Sequence, residues 1–224
     1  MKFPKKYLNQ YTLGDAFDVL YGLPKNCVDL AFTSIPDISQ MSTKADVWEY
    51  GMFIEDVMRC ISVAVKDEGF IVFSQQDRRH KGEIVAKHVE FINGMQTRGW
   101  HLKDEKIIVK DGIGKGSPLF QFTYQYMSIF TKTGKIKRKG EFLKDIIIDK
   151  QQEFGGQKVW SIPFCTMIIE SLTKRNDIVI DPFAGAAPVL YAAKKCGRKF
   201  WGAEVEKKRY NNGFKFFEKG LFTL

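Results

Sequence analysis

Residues 177–204 constrain the fold most strongly, because strand, turn and helix signals follow one another there with clear punctuation. The three elements are DIVI (177–180), PVLYAAKKC (188–196) and FWGAE (200–204). Pro188 suits a first helical position, where its missing N–H costs nothing. Lys194 and Lys195 suit the last helical turn, and Gly197 suits a left-handed cap after it. The pattern predicts a strand, a crossover helix and a second strand.

The earlier part of the chain has the same α/β pattern. Two short apolar runs, VDLAFTS (28–34) and GFIVFS (69–74), indicate buried parallel strands, and residues 47–65 between them place apolar side chains at helical spacing. The remaining predicted elements are helices over 82–97 and 162–176 and strands over 105–110 and 122–130. The last of these alternates as an antiparallel edge strand does. The predicted fold is α/β, a doubly wound and mostly parallel sheet with an antiparallel edge strand.

Composition limits the domain count and the compartment. The 224 residues are 44% hydrophobic and suffice for one core, so we expect a single domain over 1–224. No stretch approaches the roughly 18 uninterrupted apolar residues that span a bilayer, and MKFPKKYLNQ lacks an apolar signal segment. We therefore expect a cytoplasmic protein without membrane contact. The four cysteines form no Cys-x-x-Cys pair and the histidines have no ligand spacing, so we expect no metal site.

Charge is concentrated in two stretches. The chain carries 35 Lys and Arg against 26 Asp and Glu, a formal net charge of +9. Residues 132–144 contain six basic residues and one acid, and residues 194–219 contain nine and three. Such runs suit a polyanionic partner and are equally compatible with a solvated face, so charge alone leaves nucleic acid binding open.

The turn after the strand at 177–180 is the first candidate site. It reads DPFAGAA (181–187) and follows a predicted parallel strand, where doubly wound sheets bind ligands. Gly185 permits positive φ or close approach of a ligand to the backbone. Glu204, 19 residues further on, ends the next strand and can accept hydrogen bonds from ribose hydroxyls. This favours a nucleoside cofactor, although structural α/β units contain the same strand, turn and helix.

Three segments resemble the DNA amino-methyltransferases that use S-adenosylmethionine. DPFAGAAPVLYAAKKCGRKFWGAEVE (181–206) is similar to the family's D-P-F-x-G-S-G-T motif with its following helix and acid. QKVWSIPFCTMIIESL (157–172) is similar to the lead-in helix, and YTLGDAFDVLYGLPKNCVDLAFTSIPD (11–37) is similar to the stretch that ends in T-S-P-P-Y. The tetrad at 34–37 precedes the cofactor turn, which is the permuted order called beta. The resemblance implies a Rossmann-like class I methyltransferase fold.

The resemblance also implies a cofactor, a partner and site residues. The cofactor is S-adenosylmethionine, and the partner is double-stranded DNA with its target base flipped out, as in restriction-modification systems. The residues implied for cofactor binding are Asp15, Thr33, Asp181, Pro182, Phe183, Ala184, Gly185 and Glu204. The residues implied for catalysis are Ser34, Ile35, Pro36 and Asp37.

The chemistry of the tetrad follows from the weak nucleophilicity of an exocyclic amine. The lone pair on N6 of adenine or N4 of cytosine is delocalised into the ring. In the family, a side chain at the first tetrad position and the backbone carbonyl of the second accept hydrogen bonds from the amine and aim that lone pair at the methyl group. Ser34 matches the first role. The carbonyl of Ile35 can serve the second although the usual proline is absent, and Pro36 keeps the turn rigid.

Two positions depart from the family pattern. Asp37 stands where the family has Tyr, Phe or Trp to stack on the flipped base, and Ala187 stands where the turn has its second glycine. A catalytically inactive relative that binds nucleic acid or a partner would show this pattern. Alternatively, an aromatic residue elsewhere replaces the stacking platform. The candidates for it are Trp48, Tyr50 and Trp160.

Each candidate residue also has a purely structural interpretation. Ser34 suits a turn, Asp37 a helix cap, and Asp15 a turn after glycine. Glu204 is equally an ordinary acid at the end of a strand.

The region that would read DNA is short. By the family's order it covers residues 131–156, which are basic first and then apolar. This suffices for phosphate contacts but is small for reading several base edges. We expect weak specificity, a very short target or help from a second subunit in a homodimer. RNA or a modified base remains a third, weaker possibility for the substrate.

Overall fold

The computed structural model describes residues 2–41, 46–110, 123–135, 144–154 and 157–219. The strands are Gln10–Leu13 (β1), Val28–Thr33 (β2), Val65–Gln75 (β3), Arg78–His80 (β4), Glu83–Val85 (β5), His101–Lys110 (β6), Tyr124–Thr131 (β7), Ile146–Asp149 (β8), Gln152–Phe154 (β9), Gln157–Val159 (β10), Ile178–Asp181 (β11) and Lys199–Glu204 (β12). The α-helices are Phe17–Leu20 (α1), Val47–Ala64 (α2), Lys87–Thr97 (α3), Ile162–Leu172 (α4), Pro188–Lys195 (α5) and Lys207–Lys219 (α6).

Eight of these strands form one mixed sheet in the order β1-β12-β11-β2-β3-β7-β6-β8. Every pairing is parallel except those of β7, which is antiparallel to both β3 and β6. The chain runs outward from β2 to β3 in one direction and from β11 to β12 in the other. The sheet is therefore doubly wound and mostly parallel, as predicted, and β2 and β11 flank the point where the direction of winding reverses.

Helices cover the two faces of the sheet and form a core on each. Buried side chains of α1, α2 and α3 pack with one set of strand residues, and those of α4, α5 and α6 pack with the other set. In β2 the side chains alternate between the two cores, with Ala31 in the first and Leu30 and Phe32 in the second. This alternation is what a strand buried on both faces requires.

The helix signals at 188–197 are confirmed. Pro188 occupies the first turn of α5, Lys194 and Lys195 its last turn, and Gly197 has φ +70°.

Among the cysteines, Cys27, Cys60 and Cys165 are buried and Cys196 is partly exposed, and all four thiols are free.

The predicted helix over 82–97 is wrong at its start. Residues 83–85 form β5, which pairs with β4 in a hairpin, and α3 begins only at Lys87. The reason is the two-residue turn of Lys81 and Gly82, which have φ values of +48° and +89°. Two adjacent positive φ values match the twist of a tight hairpin and reverse the chain before a helix can start.

The predicted antiparallel strand has the expected direction but a different place. It was expected at the edge, whereas β6 and the parallel strand β8 both lie outside β7. From Met127 to Thr131 its side chains are all buried, so the alternation seen in the sequence is confined to its first residues. Strands β8 to β10 were not predicted. Most of the basic part of the predicted recognition region, residues 136–143, lies outside the described residues.

Within the described residues, no helix combines the length and apolar character needed to cross a bilayer.

Candidate active site

The two predicted halves of the site meet at the centre of the sheet. Strands β2 and β11 are parallel neighbours, with Leu30 opposite Val179 and Ala31 opposite Ile180. Because both strands run in the same direction, the loops that follow Thr33 and Asp181 leave the sheet at the same edge. This is the topological switch point, where a crevice opens in doubly wound sheets.

A buried hydrogen bond joins the two loops. The Thr33 hydroxyl donates to Oδ1 of Asp181 over 2.7 Å, and the Phe183 N–H approaches the same oxygen at 3.3 Å. Burial raises the pKa of Asp181 to about 7, while the hydrogen bonds from Thr33 and Phe183 oppose the shift. The bond from Thr33 ties together the ends of strands that are 148 residues apart in sequence.

The backbone of the turn at 182–187 is open at Gly185. This residue has φ +55°, and a Cβ added to it would meet no atom within 4 Å. The Tyr11 hydroxyl donates to the Gly185 carbonyl, and the Ala184 N–H donates to the Ala203 carbonyl over 2.8 Å. The turn is thus fixed by its neighbours and still accessible to a ligand that needs close approach.

Ala187, which stands where the family has glycine, adopts the left-handed conformation with φ 61° and ψ 36°. An alanine in this region costs about 1–2 kcal/mol relative to the right-handed form. Its side chain is fully buried, which recovers about 0.8 kcal/mol for one methyl group. The departure from glycine is therefore tolerated in the fold.

Glu204 and Asp15 lie at the same edge. Strand β1 pairs with β12 so that Leu13 is opposite Glu204, and the Gly14 N–H donates to the Glu204 carbonyl over 3.0 Å. The Glu204 carboxylate is nearly buried and accepts from the Glu206 N–H over 2.8 Å. Asp15 accepts from the Phe17 N–H over 2.9 Å at the start of α1, so it also makes the turn that its structural interpretation predicted.

The tetrad loop, residues 34–37, follows β2 and lies next to the turn at 182–187. Ile35 is buried, Ser34, Pro36 and Asp37 are half-buried, and the Tyr50 hydroxyl donates to the Pro36 carbonyl over 2.8 Å. Helix α2 therefore fixes the loop from one side.

Asp37 is held by two cations. Its Oδ1 pairs with Nζ of Lys87, and its Oδ2 accepts from Nε of Arg78 over 2.6 Å. Lys87 also donates to Oε1 of Gln75 over 3.1 Å. Burial lowers the pKa of Lys87, and the charge of Asp37 opposes this shift. In addition, Asp37 occupies the N-cap position of the short 3₁₀ helix Ile38–Gln40, where its N–H donates to Oε1 of Gln40 over 2.8 Å.

A family model described as DNA methylase matches residues 28–215, which include the tetrad, the turn and Glu204. The chain belongs to this DNA methylase family. The match covers most of the chain, and it agrees with the sheet order and with the meeting of the two loops.

The individual relatives of this chain are distant in sequence. The type II methyltransferase M.BglII of Bacillus subtilis is 25% identical over 244 aligned residues, which cover 92% of this chain and 68% of the relative. PvuII DNA methyltransferase, which is cytosine-N4-specific, superposes with a TM-score of 0.78 at 17% identity, over 92% of this chain and 84% of that one. A Thermus thermophilus protein assigned as a DNA modification methylase, solved with S-adenosyl-L-methionine, superposes with a TM-score of 0.74 at 21% identity, over 94% and 93%.

The three candidates for a replacement stacking platform differ in their exposure and contacts. Tyr50 is buried and bonded to Pro36, and Trp160 is buried against Phe32 with ring centroids 4.9 Å apart. Trp48 is exposed in the first turn of α2. The described groups that pair with the Asp37 carboxylate are cations instead.

Sequence reasoning missed Lys87 and Arg78. A signal for Lys87 was available, because Lys87, Phe91 and Met95 recur every four residues and all three are buried on one face of α3. A lysine at an apolar position of a helix calls for a buried anion. No signal paired it with Asp37, which is 50 residues away.

A separate groove lies at the opposite edge of the sheet. It is lined by residues at the amino ends of strands, among them Asp29 of β2, Lys66 of β3 and Arg198 before β12. None of the predicted site residues lies among its described lining residues. The candidate active site is therefore defined by the loops at the carboxyl edge.

Proposed function

We propose that this chain transfers a methyl group from S-adenosylmethionine to the exocyclic amino group of adenine (N6) or cytosine (N4) in DNA. The observation that carries the proposal is the meeting of the tetrad loop and the Gly185 turn across the hydrogen bond between Thr33 and Asp181. Family membership supports the reaction class, and the excess of basic residues is compatible with a DNA substrate.

The described residues fit the cofactor. The open backbone at Gly185 accommodates close approach of a nucleoside, and Glu204 at the end of β12 offers a carboxylate to ribose hydroxyls. When bound, S-adenosylmethionine supplies a methyl group on a sulfonium, whose carbon–sulfur bond breaks as the new carbon–nitrogen bond forms. The adjacent loop would present the amine from the other side.

The tetrad residues position the amine. In this proposal the Ser34 hydroxyl oxygen and the Ile35 carbonyl oxygen each accept a hydrogen bond from one N–H group of the amine. These two hydrogen bonds draw the nitrogen lone pair out of conjugation and fix its direction. The bond from Tyr50 to Pro36 supports this role because it holds the loop without occupying either acceptor. After transfer the nitrogen loses one proton to solvent.

Tritium transfer from methyl-labelled cofactor to mixed-sequence double-stranded DNA tests the proposal. We expect label in DNA with the wild-type chain, recovered on digestion as N6-methyladenine or N4-methylcytosine. Ser34→Ala should reduce the rate roughly a hundredfold, the effect of removing one preorganised hydrogen-bonding group from a reacting centre. An absence of label with the wild type, or an equal rate for Ser34→Ala, would overturn it.

A second candidate function is favoured by Asp37. The Asp37 carboxylate is engaged with Lys87 and Arg78, and a carboxylate cannot stack on a base. If no other group contacts the base, the chain would be a catalytically inactive protein that binds nucleic acid or a protein partner. Calorimetric titration with S-adenosylmethionine separates the two functions. An enzyme must bind the cofactor, whereas salt-dependent DNA binding with no cofactor heat supports the second function.

A further inference from the structure

The ion pairs around Asp37 join a buried lysine to an exposed arginine. The Lys87 side chain is 1% exposed and that of Asp37 is 17% exposed, whereas that of Arg78 is 44% exposed. One carboxylate is shared by two cations, so this cluster carries one net positive charge three residues after Ser34.

Lys87 fixes the direction of the carboxylate. A buried ammonium is costly without an anion, and on the inner face of α3 Asp37 supplies that anion, with Gln75 as a second acceptor. Asp37 is therefore held with Oδ1 toward the core. Its Oδ2 is left to bind Arg78, which lies at the first position of the hairpin strand β4.

The bond to Oδ2 also fixes the orientation of Arg78. It is made through Nε, the atom nearest the aliphatic stem, so it restrains the plane of the guanidinium while much of the side chain faces solvent. A planar, delocalised cation stacks well on aromatic rings, including nucleobases, and it tolerates any base because each has a π-face.

We propose that Arg78 is a substrate-contacting residue whose guanidinium stacks on the target base after it leaves the DNA duplex, with Asp37 and Lys87 as positioning residues. This inference rests on the proposed function. It gives the carboxylate at position 37 a purpose, because an acid there is what holds a guanidinium beside the tetrad loop.

The neighbouring Arg79 provides a matched control. It lies on the same short strand, but consecutive strand residues point to opposite faces. Its Nη1 donates to the Gly82 carbonyl over 3.2 Å within the hairpin, and it is similarly exposed. Substitution of either arginine removes the same charge from the same strand.

The test compares Arg78→Ala and Arg78→Lys with Arg79→Ala and Arg79→Lys. Two quantities are measured, the affinity for a fluorescein-labelled mixed-sequence single-stranded DNA by anisotropy and the kcat/KM of methyl transfer to duplex DNA. Both Arg78 variants should lose roughly tenfold or more in each quantity with an unchanged KM for S-adenosylmethionine, because lysine keeps the charge and lacks the plane. The Arg79 variants should stay within about twofold of wild type.

Several outcomes would overturn the inference. If Arg78→Lys matches the wild type, Arg78 contacts phosphate and not a base, and if Arg79→Ala loses as much as Arg78→Ala, only the overall charge matters. Asp37→Asn supplies a further readout, since a positioning role predicts that its loss in DNA affinity does not add to that of Arg78→Lys. If the wild type transfers no methyl group to any DNA, the proposed function fails, and the anisotropy series still decides the role of Arg78.

Discussion

At the scale of single residues, the cluster of Asp37 and Lys87 is the place where stability and function are most closely linked. A buried ion pair adds little net stability when complete, but removing one partner is costly because the other remains as an unpaired charge. The two partners are not equivalent here. Asp37 keeps Arg78 as a directly bonded cation if Lys87 is removed. If Asp37 is removed, the described acceptor that stays bonded to Lys87 is the neutral Gln75, and the carboxylate of Asp77 acts on it without a described hydrogen bond.

This asymmetry predicts unequal effects on the free energy of unfolding. Asp37→Asn should lower it by about 2–4 kcal/mol, Lys87→Met by less than about 1 kcal/mol, and the double variant should recover to within about 1 kcal/mol of Lys87→Met. Urea denaturation at pH 7 measures all three. Equal losses from the two single variants would contradict the account.

The loss in Asp37→Asn should also depend on pH. The pKa of Lys87 in the folded wild type already lies below its usual 10.5, and removal of Asp37 lowers it further. Between the folded pKa and 10.5 the unfolded chain binds more protons than the folded one, so stability rises with pH in that window. The difference in the free energy of unfolding between the wild type and Asp37→Asn should therefore shrink from pH 7 to pH 9.5. Urea denaturation at both pH values measures this difference.

At the scale of elements, α6 supports the cofactor turn from behind. Gly213 lies where a Cβ would come within 2.8 Å of the Ala186 Cα and 2.9 Å of the Gly185 carbonyl oxygen. Since both neighbours are backbone atoms of the turn, neither can yield without moving it. The contact explains a glycine in the middle of a helix, where glycine is otherwise unfavourable.

Gly213→Ala and Gly51→Ala form a matched pair that tests this contact. Gly51 is also inside a helix, α2, but a Cβ there would meet no atom within 4 Å. Gly51→Ala should raise the free energy of unfolding by about 0.5–1 kcal/mol through helix propensity. Gly213→Ala should lower it by about 1–3 kcal/mol and weaken the binding of S-adenosylmethionine, as measured by urea denaturation and calorimetry. A gain from both substitutions would show that α6 does not pack tightly on the turn.

Elements with strong local signals were predictable from the sequence. Strands β2 and β11 are short segments rich in apolar residues, and α2 places apolar side chains at helical spacing over many residues. Helix α5 has Pro188 in its first turn and Gly197 just after its end. Strands β4 and β5 were missed because three residues are too few for a periodic pattern, and the Lys81–Gly82 turn decides their conformation. In the site, the strand and turn pattern supplied Gly185 and the resemblance supplied Ser34. Arg78 and Lys87 required the tertiary structure because their partner is more than 40 residues away.

At the scale of the whole molecule, the sheet brings together segments that are separate in sequence. Residues 34–37 and 182–187 become neighbours only because β2 and β11 pair in parallel at the switch point. A cofactor held between them would contact both and would be absent from the groove lined by Asp29 and Lys66 at the opposite edge. The central claim of the account is this shared pocket.

Photochemical cross-linking of methyl-labelled S-adenosylmethionine, followed by trypsin digestion and mass spectrometry, tests that claim most directly. Cleavage after Lys25, Lys44, Arg175 and Lys194 gives peptides 26–44 and 176–194, which carry the tetrad and the turn. The account predicts label in both peptides, mapped by fragmentation to residues after Thr33 in the first and after Asp181 in the second, and reduced by excess unlabelled cofactor. Label confined to Asp29, Asp177 and the other residues that line the opposite groove, or no label that the unlabelled cofactor displaces, would contradict it.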